Sequence, residues 1–170
     1  EREMFEKYGL ELRLYNCLSE SDIIEQMQEC DICAVVSSPF TRKVINSLPN
    51  CKGILRYGIG VDNINIDSAT ERGIQVCYNP EYCVEDVATQ AFTMLLDLSR
   101  KISLLDKEIR QGNWSFKAGY PSRRLQNRTL GLLGFGKIAR RLSKMVSIFD
   151  MNIITYDPFV TEEFTSQYRV

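Results

Sequence analysis

The feature that most constrains the fold is a short unit near the end of the chain, in which two apolar runs flank a glycine turn and a helix. The run 130–133 reads Leu-Gly-Leu-Leu, the turn is Gly134-Phe135-Gly136, and residues 137–149 carry apolar side chains at helical spacing. A second apolar run, 152–156, ends at Asp157. A strand, a crossover helix and another strand in this order pair in parallel within one sheet. The chain is therefore predicted to belong to the α/β class.

The glycine turn of this unit has the spacing of a dinucleotide-binding motif. Gly134 permits the tight turn, Gly136 lets a pyrophosphate approach backbone N–H groups, and the small Ala139 allows close packing of helix on strand. Asp157 lies 23 positions after Gly134, where a carboxylate accepts hydrogen bonds from ribose hydroxyls. This position favours NAD over NADP, and Lys137 adds positive charge near the phosphates. The alternative is a glycine-rich turn that binds no ligand.

The first half of the chain repeats the alternation of strands and helices. Strands are predicted over 10–15, 31–36, 53–56 and 74–77, and helices over 21–28, 41–48 and 67–71. Ser19 or Ser21 is expected to cap the first of these helices. Helices of this length between strands imply parallel pairing, so these residues are predicted to form a layered α/β domain.

Between the two parts, the spacing of apolar residues predicts one long helix over 84–112. Small or apolar side chains recur at steps of three and four, at Ala88, Ala91, Leu95, Leu98, Ile102, Leu105 and Ile109. Gly112 ends the helix, and Glu85 and Asp86 lie in its first turn, where carboxylates stabilise the helix dipole. An acid/base pair formed by these two carboxylates is the alternative.

A second glycine turn follows the predicted strand 53–56. Gly58 and Gly60 expose backbone N–H groups at the carboxyl end of that strand, the edge at which open α/β sheets bind ligands. Arg56 is placed to hold a carboxylate through two parallel hydrogen bonds. An ordinary glycine turn beside a solvated arginine is the alternative, and the spacing alone does not separate the two.

Composition excludes several classes of function. Lys and Arg number 21 against 22 Asp and Glu, so there is no electrostatic argument for nucleic acid or an anionic membrane. The chain has no histidine, which removes Ser-His-Asp and Cys-His catalysis and most zinc sites, and we expect no metal. No apolar stretch is long enough to span a membrane, so a cytoplasmic protein is expected. The six cysteines are interpreted mainly as free, buried apolar residues, with a Cys30–Cys33 redox pair as the alternative.

Five stretches of the sequence resemble one enzyme family. They are 56–64, 71–74, 76–80, 131–138 and 156–158, and they closely resemble the NAD-dependent D-2-hydroxyacid dehydrogenases. Within that family, 81–88 and 105–114 look most like the branch that contains the C-terminal-binding-protein corepressors and their bacterial dehydrogenase relatives. The sequence departs from the family's pattern at Asn65, Thr89 and Ala139.

The resemblance implies a division into three parts. A flavodoxin-like parallel-sheet substrate domain over 1–83 lacks its first strand, a long interdomain helix spans 84–112, and the first βαβ part of a Rossmann NAD-binding domain covers 113–170. Only thirteen residues follow Asp157, fewer than the rest of a Rossmann sheet needs. The chain is accordingly expected to be an interior fragment of a longer protein, with the active site between its two domains.

The resemblance also implies roles for individual residues. The substrate carboxylate is expected at Arg56, Gly58, Ile59 and Gly60. The NAD cofactor is expected at Gly134, Phe135, Gly136, Lys137, Ile138 and Asp157. The family's catalytic arginine, glutamate and histidine lie later in the Rossmann domain, so no catalytic residue is assigned here and the chain alone is expected to be inactive.

The function implied is hydride transfer between NAD(H) and a small 2-hydroxy or 2-keto acid, by a longer protein that forms a homodimer. Its expected partner is the small acid, with neither nucleic acid nor membrane. An NAD-regulated corepressor-like binding protein of the same fold is the alternative.

Overall fold

A computed structural model of the chain describes residues 2–168 and divides it into two compact units, Glu1–Glu81 and Tyr82–Val170. The first unit contains four helices and three strands among its described residues. The helices are α1 (Arg2–Lys7), α2 (Glu20–Gln26), α3 (Arg42–Asn46) and α4 (Ile66–Glu71). The strands are β1 (Ile32–Val35), β2 (Gly53–Arg56) and β3 (Gln75–Tyr78), which pair in parallel in the order β1-β2-β3. The α/β class with parallel strands is confirmed.

Polar side chains begin the helices of this unit. Ser19 and Asp22 form a reciprocal capping box at α2, which confirms Ser19 as its N-cap. Thr41 caps α3, and Asn65 caps α4 by accepting the N–H of Ser68 at 2.9 Å. Asn65 stands where the resembled family usually has aspartate. Asparagine and aspartate can both accept this N–H, so either would cap the helix.

The predicted strand over 10–15 is wrong. None of these residues belongs to a strand, and no described segment pairs with them, because β1 is the last strand on its side of the sheet. Leu10 and Leu14 are exposed instead of covering a sheet face. Alternation of apolar and charged residues predicts which face of a strand is buried. It does not show whether another strand is present to form the backbone hydrogen bonds that a strand needs.

The core of the first unit lies between the sheet and its helices. Ile23 of α2, Val44 and Ile45 of α3, and Ile54 at the centre of β2 are fully or almost fully buried there. Arg72, which follows α4, donates to the backbone carbonyls of Ile45 and Leu48 and so ties the end of one helix to the loop after another.

Among its described residues, the second unit contains a two-stranded parallel sheet, four α-helices and two short 3₁₀ helices. The strands are β4 (Thr129–Leu133) and β5 (Asn152–Tyr156), and the helices are α5 (Val84–Arg100), α6 (Ile102–Arg110), α7 (Lys137–Val146) and α8 (Glu162–Ser166). Its small core is formed by Leu142 and Val146 of α7 and Ile153 of β5, with Ala91 and Leu95 of α5 packed against them. The predicted strand–turn–helix–strand unit is therefore confirmed.

The prediction of one long helix over 84–112 is wrong. Lys101 adopts a left-handed conformation with φ +55°, which ends α5 and starts α6 in a new direction. Asp97 favours the break because its carboxylate accepts both the N–H and the hydroxyl of Ser103, at 2.8 and 2.7 Å. Burial of the apolar stripe ends near this place, since Leu98 is 75% exposed. Residues 84–100 belong to the second unit, where α5 packs on α7.

In the part of the chain that the structure describes, no helix is both long and apolar enough to cross a membrane.

Candidate functional site

The first candidate site is the loop that follows β2, the central strand of the first sheet. Tyr57 extends the pairing by donating its N–H to Val35 at 2.8 Å, and the chain then turns through Gly58, Ile59 and Gly60. Since all three strands are parallel, their carboxyl ends meet at this edge. The structure thus places Arg56 and the glycine turn at the edge where a ligand is expected.

The guanidinium of Arg56 is held in one orientation. Its Nε donates to Oδ1 of Asn63 at 3.1 Å, and its Nη1 donates to the carbonyl of Tyr57 at 2.6 Å. It lies directly against the backbone of Gly58, where a Cβ atom would be only 2.1 Å from Nη1. A larger residue at Gly58 would therefore displace the guanidinium from this position.

Asn63 is the residue of this site that sequence reasoning missed. Its Oδ1 accepts from Arg56, and its Nδ2 donates to the carbonyl of Ser38 in the loop after β1, at 2.9 Å. The backbone reinforces this link, since Phe40 donates to Asn63 at 2.7 Å. A side-chain amide both donates and accepts, so one asparagine joins the two loops and fixes the arginine. The only signal in the sequence was an asparagine five positions after a turn glycine.

Several donors of this loop remain available for an anion. Within residues 2–168, Nη2 of Arg56 and the N–H groups of Gly58, Ile59 and Gly60 have no hydrogen-bond acceptor. A guanidinium edge beside successive backbone N–H groups matches the two oxygens of a carboxylate. The arrangement favours the carboxylate-binding interpretation of Arg56 over the solvated one.

The second candidate site is the glycine turn between β4 and α7. Gly134 has φ +88°, a conformation that favours glycine, and its N–H donates to the carbonyl of Tyr156 at the end of β5, at 2.8 Å. Gly136 is the N-cap of α7, and the first turn of a helix presents N–H groups without intrahelical acceptors. The turn therefore directs a helix N-terminus toward the carboxyl edge of the sheet.

The backbone at Gly136 faces open space. A Cβ atom built on Gly136 would meet no atom within 4 Å, so the backbone is open to a phosphate group. Lys137 is exposed and Ile138 is half-buried, both in the first turn of α7. The side chain of Phe135 is buried, and its ring packs edge-on against Tyr168 at 5.4 Å between centroids. Of the predicted cofactor-binding residues, Phe135 alone has its side chain in the core.

Asp157 lies beside this turn and is held by the backbone. One of its oxygens accepts the N–H of Phe135 at 2.7 Å, and the other accepts the N–H of Phe159 at 2.9 Å. These backbone hydrogen bonds hold the pKa of the Asp157 carboxyl below its usual range. Each carboxylate oxygen has a second lone pair, so the anion that fixes the turn can also accept from a ribose hydroxyl.

The alternative interpretation of Glu85 as an acid/base residue finds no support in its contacts. Its carboxylate forms a two-point ion pair with Arg141 of α7, with Nη2 and Oε1 2.8 Å apart. The Arg141 guanidinium lowers the pKa of Glu85, which keeps the carboxylate ionised. Glu85 therefore connects α5 to α7.

All six cysteines are free thiols. Cys17, Cys33 and Cys51 are buried, as expected, whereas Cys77 is exposed. The sulfurs of Cys33 and Cys51 lie 4.0 Å apart, and the contact with the Cys33 thiol lowers the pKa of Cys51. Among residues 2–168 there is no cluster of three or more His, Cys, Asp or Glu suited to a metal ion.

Comparison with known proteins identifies the family. The family model described as "D-isomer specific 2-hydroxyacid dehydrogenase, catalytic domain" matches residues 1–169 of the chain. The chain belongs to this family.

Individual relatives agree with the family match. The chain is 33% identical over 165 residues to D-3-phosphoglycerate dehydrogenase of Archaeoglobus fulgidus, covering 96% of this chain and 31% of the relative. It is 35% identical over 142 residues to hydroxypyruvate reductase of Thermotoga maritima, covering 83% of this chain and 46% of the relative. The chain thus spans about a third to a half of the length of these dehydrogenases.

A solved structure shows the same fold. The D-lactate dehydrogenase of Aquifex aeolicus, complexed with NAD and lactic acid, superposes with a TM-score of 0.82 at 24% identity, over 97% of this chain and 50% of the other.

Proposed function

We propose that the protein containing this chain transfers a hydride between NAD(H) and a small 2-hydroxy or 2-keto acid. The match of the 2-hydroxyacid dehydrogenase family across residues 1–169 carries the proposal. Two features of the geometry support it: a fixed arginine beside unpaired backbone N–H groups after β2, and an open glycine turn before α7.

In this proposal Arg56 and the loop of Gly58, Ile59 and Gly60 bind the carboxylate of the acid. Asn63 and the Tyr57 carbonyl hold the guanidinium in place before the substrate arrives. A fixed donor loses little conformational entropy on binding, so the carboxylate orients the rest of the acid at low cost.

The residues of the glycine turn would hold the dinucleotide, which supplies the hydride acceptor or donor. Gly134, Gly136, Lys137 and Ile138 surround the pyrophosphate position, and Asp157 accepts from the adenosine ribose. The ribose phosphate of NADP would bring negative charge beside that carboxylate, so NAD is the preferred cofactor. Phe135 contributes indirectly, through the N–H that fixes Asp157.

The chain by itself is expected to show no turnover. It contains no histidine to exchange the proton of the substrate hydroxyl, and general acid–base help of this kind contributes about 10²–10⁴ in rate. The longer protein is proposed to be a cytoplasmic homodimer without nucleic-acid or membrane partners.

A second candidate function is that of an NAD-regulated, corepressor-like binding protein. It rests on the sequence of 81–88 and 105–114, which resembles the C-terminal-binding-protein branch. Catalytic turnover separates the two candidates, since a dehydrogenase reduces a 2-keto acid with NADH repeatedly, whereas a binding protein does not.

The experiment is steady-state reduction of glyoxylate, pyruvate and hydroxypyruvate with NADH by the longer protein and its Arg56→Lys variant. Lysine lacks the planar fork, and hydrogen bonds to charged groups contribute about 1.5–3 kcal/mol, so KM for the keto acid should rise at least about tenfold. The affinity for NADH should not change. Arg42→Lys is the matched control, because Arg42 pairs with Glu71 on the exposed surface of the same unit.

Absence of turnover with all three acids would reject the dehydrogenase function and favour the binding protein. Turnover with an unchanged KM in Arg56→Lys would reject Arg56 as the carboxylate ligand.

A further inference from the structure

Two buried thiols are in contact in the core of the first unit. Cys33 lies in β1, and Cys51 lies 18 positions later, between α3 and β2. Their sulfurs are 4.0 Å apart, and the two residues are only 2% and 6% exposed. This pair differs from the Cys30–Cys33 pair that the sequence spacing suggests. Neither Cys33 nor Cys51 belongs to the loop after β2 or to the glycine turn, so the proposed hydride transfer does not use them.

Cys51 lies where a turn enters the sheet. Its N–H donates to the carbonyl of Leu48 at 3.3 Å, and its Sγ is 3.5 Å from the carbonyl oxygen of Gly53, the first residue of β2. Cys33 is fixed within β1, opposite Ile54 of β2. A disulfide requires sulfurs about 2.05 Å apart, so the two thiols must approach by about 2 Å. Because Cys51 lies outside the strands, its side chain can make this approach without breaking a strand pairing.

The two thiols differ in reactivity. The contact with Cys33 lowers the pKa of the Cys51 thiol, and the positive charge of Arg72 acts in the same direction, against the effect of burial. The contact with Cys51, together with burial, raises the pKa of the Cys33 thiol. The thiolate is the form that attacks an oxidant, so Cys51 is the first of the two to react. Asn50 and Lys52, on either side of Cys51, are exposed, so a small oxidant reaches this turn from solvent.

We propose that Cys33 and Cys51 form a reversible disulfide when the protein meets a peroxide. The thiolate of Cys51 attacks one oxygen of hydrogen peroxide, the O–O bond breaks, and Cys51 becomes a sulfenic acid. The hydroxide that leaves takes up the proton that Cys51 has lost, which gives water. The thiol of Cys33 then attacks the sulfur of the sulfenic acid, so the S–S bond forms, the S–O bond breaks and a second water leaves. Two thiols are thereby oxidised by two electrons, and one peroxide is reduced to two waters.

The test is a peptide map of the folded chain after oxidation with hydrogen peroxide and blocking of the remaining thiols with N-ethylmaleimide. Cleavage after Lys and Arg and before Asp separates the four cysteines of this region into the peptides 14–21, 22–30, 31–42 and 44–52. The main product should join 31–42, which contains Cys33, to 44–52, which contains Cys51. Dithiothreitol should release the two peptides. A main product that joins 44–52 to 14–21 or 22–30, or the absence of any disulfide within the chain, would overturn the proposal.

Variants and hydrogen exchange test the role of the pair. Cys51→Ala should abolish the disulfide within the chain, whereas Cys77→Ser, which removes the exposed thiol of β3, should leave its yield unchanged. Circular dichroism checks that both variants fold, and the peptide map of the unmodified chain does not depend on either. Oxidation should slow amide exchange at Asn50 and Cys51 by about tenfold or more, because the cross-link fastens the turn to β1, and reduction should reverse the change. Loss of the disulfide in Cys77→Ser, or exchange that oxidation leaves unchanged, would contradict the proposal.

Discussion

The close approach of Arg56 to Gly58 makes Gly58→Ala a sharp test of the first candidate site. The added Cβ would lie 2.1 Å from Nη1, 2.5 Å from Cζ and 2.7 Å from Nη2, whereas real Cβ contacts are essentially never below 3.0 Å. The atoms in the way belong to the end of a flexible side chain. Gly58 does not have a positive φ, so the backbone tolerates alanine and the guanidinium moves instead.

The expected cost of this movement follows from the bonds that it breaks. Displacing the guanidinium removes the bond from Nε to Asn63 and the bond from Nη1 to Tyr57. A net hydrogen bond contributes about 0.5–1.5 kcal/mol, so the free energy of unfolding of the first unit should fall by about 1–3 kcal/mol. For a unit of this size, each kcal/mol lowers Tm by roughly 4–8 °C. The unit should therefore remain folded but lose its fixed arginine.

The assay combines thermal unfolding with NMR of the arginine Nε–H group and, in the longer protein, KM for pyruvate. Gly58→Ala should shift the Arg56 Nε–H resonance toward that of a solvated arginine and raise KM by tenfold or more. Gly53→Ala is the control on the same strand, since its Cβ would have 3.8 Å as its nearest contact. It should be neutral or slightly stabilising. An unchanged Arg56 resonance, or an unchanged KM despite a changed resonance, would refute the reasoning.

Three further outcomes are expected. The N–H groups of Phe135 and Phe159 lower the pKa of Asp157 in the folded chain. The ionised carboxylate therefore contributes its whole stabilisation above the unfolded-state pKa of about 3.9, and this stabilisation is lost as the pH falls through the folded-state pKa. The difference in unfolding free energy between the unmodified chain and Asp157→Asn should thus be constant near pH 7 and shrink below about pH 4 in urea titrations. Lys101→Gly should raise Tm slightly, because glycine adopts the left-handed conformation without the steric cost of about 1–2 kcal/mol; a lower Tm would mean that the Lys101 side chain outweighs it. Arg141→Gln should destabilise the second unit slightly at low salt and not at 1 M NaCl, since its ion pair is exposed.

Most of the elements could be predicted from the sequence because their signals are local. Strand β2 ends at Arg56 and β5 spans Asn152–Tyr156, as the apolar runs predicted. Ser19, one of the two serines predicted as the cap, is the N-cap of α2. The errors arose where the outcome depends on a partner. Residues 10–15 have the pattern of a strand but no described neighbour to pair with. The helix over 84–112 has the right spacing throughout, but the Asp97 carboxylate stabilises the start of a second helix by accepting two hydrogen bonds from Ser103 in the first turn of α6.

The two candidate sites share a feature that residue spacing does not contain. In each, the charged side chain singled out from the sequence is already hydrogen-bonded to nearby loop residues: Arg56 to Asn63 and Tyr57, and Asp157 to Phe159 and to Phe135 of the glycine turn. Sequence spacing placed both charges at the carboxyl end of a strand, which was sufficient to propose their ligands. It could not show that the loops orient these charges before any ligand binds, because this depends on backbone N–H and carbonyl groups that every residue has. Preorganisation of this kind separates a binding site from an ordinary surface charge, since the entropy of fixing the side chain is lost on folding and not on binding. Substitutions that leave Arg56 and Asp157 in place but release their anchors should therefore weaken binding nearly as much as removing the charges themselves.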